Sequence, residues 1–139
     1  QREVGAALLH QVAAELDLHT ARHNAGMDAD VTIPWMLVRS LHATLGDHYR
    51  LQGCAAEAAQ WLHRAVKVSE PIPGIPADEF DLHARLVAED LFLLAGAHCL
   101  AGDPAETRSV MAEMQSWCMK LPDRDAVAGC QVPIKQSQC

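Results

Sequence analysis

Eight histidines, five cysteines and eighteen acidic side chains are the residues able to do chemistry, and Glu15-x-x-x-His19-x-x-x-His23 is their best metal-binding spacing. On a helix it puts three possible ligands on one face. The Glu is not in an HExxH arrangement and no second helix offers an evident partner ligand, so no metal and no cofactor are expected. His19 and His23 then close the end of an apolar stripe. A catalytic cysteine needs a base and a helix N-terminus or cation to lower its pKa, whereas Cys99 and Cys118 fall late in predicted helices, where the dipole opposes a thiolate. Cys54 lies just before a predicted helix and is the most reactive thiol expected, without being catalytic. Because no glycine-rich phosphate loop, nucleophile elbow or paired-carboxylate motif occurs, no catalytic residue is predicted. A metal- or thiol-dependent enzyme is the alternative of another class.

Cys54, Cys99, Cys118, Cys130 and Cys139 form an odd, irregular set without a CxxC pair, read here as reduced thiols of a cytoplasmic protein. The chain has 139 residues, half of them hydrophobic, which is enough for one domain with a real core. Its net charge of −7, with no cluster of Lys or Arg, argues against nucleic acid as a partner. The longest apolar stretch, residues 91–100, is interrupted by Gly96 and His98 and falls short of the roughly 20 residues that span a bilayer. No signal-peptide block opens the chain, and it begins without Met, as a segment of a longer protein would.

The elements that must position these residues are helical, because period-two alternation of β-branched residues is absent apart from short pieces such as residues 31–33. Helix 1 is predicted over residues 4–23, with Leu9, Val12, Leu16, His19 and His23 in one stripe, followed by a loop over 27–33. Pro34 opens helix 2, with Val38, Leu41, Leu45 and Tyr49 inward, and Gly53 ends it. Helix 3 buries Ala55, Ala58, Ala59, Leu62, Ala65 and Val66. Three prolines make residues 71–76 a stiff linker. Helix 4, from about Ala77, carries two apolar stripes, through Phe80, Ala84, Val87, Leu91, Leu94 and His98, and through Leu82, Leu86, Leu93, Ala97 and Leu100. It should be sandwiched between neighbours. Asp103-Pro104-Ala105-Glu106 combines three start signals for helix 5, whose stripe is Thr107, Met111, Met114, Cys118 and Leu121. Residues 123–139 form a tail with at most one short turn.

Helices 2 and 3 together resemble one tetratricopeptide repeat: Leu45-Gly46, Tyr49, Gly53, Ala58, Leu62 and Ala65 follow at that family's spacing, with Pro71 near its terminal proline. His42 stands where the family prefers Trp. Helices 4 and 5 repeat the pattern through Leu91, Leu94-Ala95, His98, Gly102, Met111 and Met114, with a step longer than the family's period of about 34 residues. The resemblance implies an all-α fold, a right-handed stack of antiparallel helical hairpins with about five helices over residues 1–122. It also implies a concave groove that takes up a protein partner's peptide or helix. By register that groove is lined by Ser40, Ala43, Asp47, Arg50 and Leu51 of helix 2, and by Glu89, Phe92, Gly96, Cys99 and Leu100 of helix 4. Ala43 and Asp47 stand where a carboxylate clamp would need Asn or Lys, so none is expected. The function implied is a protein-protein interaction scaffold. The alternative is a self-associating structural segment of a larger helical-repeat regulator, in which Phe92 and Leu100 are covered by helix 1 or by a second copy of the chain.

Overall fold

The computed structural model describes residues 2–24, 34–123 and 127–131. Among them the chain forms α1 (Arg2–Asn24), α2 (Trp35–Leu51), α3 (Ala55–Ser69), α4 (Ala77–Leu100) and α5 (Pro104–Cys118), followed by a 3-10 turn (Ala128–Gln131). No strand occurs among these residues, so the protein is all-α. Each helix packs on the next in sequence, α2 on α3, α3 on α4 and α4 on α5, giving a stack of two hairpins with α1 laid against α2. The loop expected over 27–33 and the tail beyond residue 131 lie outside the described residues.

Both hairpins turn the same way. Gly53 (φ +79°) and Gly102 (φ +75°) take the left-handed conformation that ends a helix without steric cost. Cys54 N–H then donates to the Tyr49 carbonyl at 2.9 Å and Gly53 N–H to that of Arg50 at 3.0 Å. In the second hairpin Asp103 N–H donates to His98 and Gly102 N–H to Cys99, both at 3.0 Å. This paired closure satisfies carbonyls that a helix end leaves orphaned. The start of α5 is as the sequence predicts: the Asp103 carboxylate accepts from Glu106 N–H at 3.1 Å, with Pro104 in the first position. At α2 the boundary shifts by one residue, since the helix begins at Trp35 and Pro34 flanks it.

The core runs through α3, α4 and α5. Ala58, Leu62 and Val66 of α3 meet Ala84, Val87, Leu91, Leu94 and Ala97 of α4, and Val110, Met111, Met114 and Cys118 of α5 close the other side. Helix α4 is thus sandwiched, as its two stripes imply, although Leu82 and Leu100 at its ends remain exposed. Helix α1 departs from expectation. Ala13 is buried and Leu9 and His10 are half-buried, whereas Val12, expected in the inward stripe, is exposed, because the face turned to the stack is the one that carries His10 and Ala13.

Close approach of α2 and α3 depends on Gly46. A Cβ placed there would lie 2.5 Å from Leu62 Cγ and 3.2 Å from the Leu62 amide nitrogen. At Gly96 of α4 the nearest atom would be Arg50 Cδ, at 4.0 Å. Ordinarily Gly to Ala in a helix stabilises by up to about 1 kcal/mol. We therefore expect Gly96→Ala to raise stability in urea unfolding, and Gly46→Ala to lower it by about 1 to 3 kcal/mol through overpacking. Equal effects at the two positions would contradict the close approach.

Candidate functional site

The face between α2 and α4 forms a shallow depression of about 320 Å³ lined by Arg39, Ser40, Ala43, Thr44, Asp47 and Leu93. Three of the residues expected in the groove, Ser40, Ala43 and Asp47, therefore line one concavity. Arg50 stands beside it and donates through Nε and Nη2 to Asp47 Oδ1, at 3.0 and 2.6 Å. Its aliphatic stem lies beside Gly96 of α4. Glu89 presents an exposed carboxylate on the same side, 3.9 Å from Arg39 Nη2. Leu51 and Leu100 are exposed at the helix ends.

Two of the expected groove residues make further contacts. Cys99 is disulfide-bonded. Phe92 is 39 % exposed, and its other face meets the 3-10 turn: a Cβ built on Gly129 would lie 3.1 Å from Phe92 Cβ. The expectation of reduced thiols is overturned, since Cys118 and Cys130 form a disulfide across a Cα–Cα distance of 5.7 Å, and only Cys54 is free among the described residues. Residue type and spacing cannot foretell this pairing, which depends on the turn folding back onto α5.

The floor of the depression rests on a polar cluster that the helical pattern did not reveal. Asp90 of α4 is fully buried. Arg39 of α2 grips it with two bonds, Nη2 to Oδ1 at 2.5 Å and Nε to Oδ2 at 3.1 Å. Ser69, the last residue of α3, donates its hydroxyl to Oδ2 at 2.9 Å. His83 Nδ1 donates to the Ser69 carbonyl at 2.7 Å, and Trp35 stacks on the His83 ring at 4.0 Å. The arrangement joins three helices at the end opposite the glycine turns. It is not a nucleophilic triad, because the serine hydroxyl faces the carboxylate and the imidazole faces a backbone carbonyl.

A second cluster attaches α1. Trp61 of α3 meets the rings of His10 at 5.5 Å and His42 at 5.6 Å, and the Arg64 guanidinium lies 4.8 Å above its ring. His10 Nε2 bonds the Tyr49 hydroxyl, and Arg64 reaches Asp17 of α1 at 3.3 Å. His42 is buried with no hydrogen-bond partner at either ring nitrogen among the described residues. Burial pushes its pKa below the ordinary 6.5, with nearby Asp17 opposing the shift and Arg64 adding to it. The side chains of His19 and His23, the metal spacing considered first, lie outside the described residues. Among those described, no group of three or more His, Cys, Asp or Glu could hold a metal ion. A second depression of about 300 Å³, lined by Ala59, Gln60, His63, Leu94, His98 and Glu106, lies on the α3 and α5 side.

Comparison with protein-family models, curated proteins and solved structures finds no match.

Removing one member of a buried ion pair leaves the other uncompensated, at a cost of about 3 to 5 kcal/mol. We expect Asp90→Ala to lose that much in urea unfolding, and the double variant Arg39→Met/Asp90→Leu to lose less, since it leaves no unpaired charge. At the other cluster the folded chain keeps His42 neutral, whereas the unfolded chain takes up a proton as pH falls past about 6.5. Stability is therefore fully present above that pH and declines as pH drops toward the depressed folded value. His42→Phe should flatten that decline in thermal melts between pH 7.5 and about 5; an unchanged slope would show that His42 is not its source.

Proposed function

We propose that this protein is a tetratricopeptide-like interaction module that takes up a protein partner's peptide or helix in the α2/α4 groove, and is not a catalyst. The observation that carries this reading is the open depression in which Ser40, Ala43 and Asp47 converge with Leu93 of the facing helix. Exposed groups that could meet a partner, Ser40, Glu89 and Leu51, stand along the same two helices. The identical closure of both hairpins supports a repeat origin, since it recurs at matching places in α2–α3 and α4–α5. The closed arrangement around Asp90 supports a structural and not a chemical use of its serine and histidine. No helix among the described residues is long and apolar enough to cross a membrane. The Cys118–Cys130 disulfide removes the ground for a reducing cytoplasm and supports an oxidising compartment.

A second reading, self-association as a segment of a larger assembly, is favoured by Leu8, Val12 and Leu18, which leave α1 with exposed apolar side chains.

The test is selection of binding peptides from a random library, followed by titration of Ser40→Trp and Asp47→Lys. Both positions face the depression, and the Asp47–Arg50 pair lost in the second variant is a surface pair, so the helical spectrum should persist and stability should change by no more than about 1 kcal/mol. Peptide affinity should fall at least tenfold, about 1.4 kcal/mol. Peptides that bind both variants unchanged would place recognition on another face. Selection of none, together with a dimer in light scattering, would favour self-association.

A further inference from the structure

The 3-10 turn at residues 128–131 packs against α4 and α5 at that end of the stack. Val127 just before it is 2 % exposed and Gly129 is buried. At Gly129 the backbone presses so close that a Cβ would lie 2.9 Å from Met114 Sδ and 3.1 Å from Phe92 Cδ1. Cys130 bonds covalently to Cys118 in the last turn of α5, and its N–H donates to the Val127 carbonyl at 3.0 Å. The backbone entropy of ordering the turn opposes this docking, and Val127, Gly129 and the half-buried Cys130 pack against the core to offset it. The covalent bond removes most of that opposition by keeping the turn beside its seat.

We propose that the Cys118–Cys130 bond is a redox-controlled clasp: its reduction releases the 3-10 turn and uncovers Phe92 and Met114 without unfolding the helices. The reductant is a dithiol. Two electrons and two protons pass from it to the disulfide, giving the Cys118 and Cys130 thiols, and the dithiol closes into its own disulfide. Phe92 belongs to the helix that lines the groove, so an effect on partner binding rests on the reading above. The clasp itself does not, and the experiment reads it without a partner.

Methionine reports the change, because its oxidation follows exposure. Met114 is fully buried against the turn, Met111 is buried on the same helix at 4 % exposure, and Met119 is open at 75 %. The full chain, Cys130→Ala and dithiol-treated chain are given a brief peroxide pulse, and each methionine is quantified by mass spectrometry. Expected is a rise of at least about tenfold in Met114 oxidation in both altered forms, with Met111 still protected and the helical spectrum unchanged. Because a dithiol also cuts the bond at Cys99, Cys99→Ala serves as the control and should leave Met114 protected. Three results would overturn the proposal. Met114 oxidation as slow as that of Met111 in Cys130→Ala would show that packing alone seats the turn. Exposure of Met111 and Met114 together with loss of helix would make the bond a staple of the whole fold. Exposure of Met114 in Cys99→Ala would assign control to the other disulfide.

Discussion

A carboxylate with no access to water, that of Asp90, is the constraint on which the arrangement of the helices depends. A buried charge is tolerated only when its lone pairs are met by donors and its charge by an opposite one, and here the donors come from two other helices. Arg39 must therefore stay with α4, and Ser69 must hold the end of α3 beside both. The fork geometry of guanidinium on carboxylate leaves little freedom for α2 to slide or rotate past α4. Further along the same helix pair, the Arg50 stem lies beside Gly96, where a methyl group would also fit. The Arg39–Asp90 pair therefore restrains the separation of α2 and α4 beneath the depression.

The two ends of each hairpin are restrained by different physics. At one end a left-handed glycine turns the chain sharply and supplies donors to the last carbonyls, so the restraint is local. At the other end the chain leaves α3 through the proline-rich segment 71–76, which cannot hold neighbouring helices together by itself. The Asp90 cluster supplies the missing restraint through contacts distant in sequence.

A stack of hairpins also exposes an apolar face at each terminus, and repeat architectures need covers there. This chain covers them unequally. On the α2/α3 side, α1 is held by ring contacts around Trp61 and by buried Ala13, leaving Leu8, Val12 and Leu18 outward. On the α4/α5 side, the cover among the described residues is a short turn tied to α5 by a disulfide.

Helix type, the sites of turns and the inward stripe of each central helix were determined by the sequence itself, since they follow from neighbours three and four residues apart. Thr107, Met111, Met114, Cys118 and Leu121 are all buried, as their spacing requires, and Asp103 caps the helix it precedes. Register also placed Ser40, Ala43 and Asp47 on one surface. Only the tertiary structure decided which charge is buried. Asp90 follows exposed Glu89, and an acidic residue among apolar ones reads as solvent-facing until the distant Arg39 and Ser69 are seen to surround it. The cysteine pairing and the cover over Phe92 were hidden for the same reason. They arise where the turn folds back on α5, and no periodicity within one helix records what a separate segment brings against it.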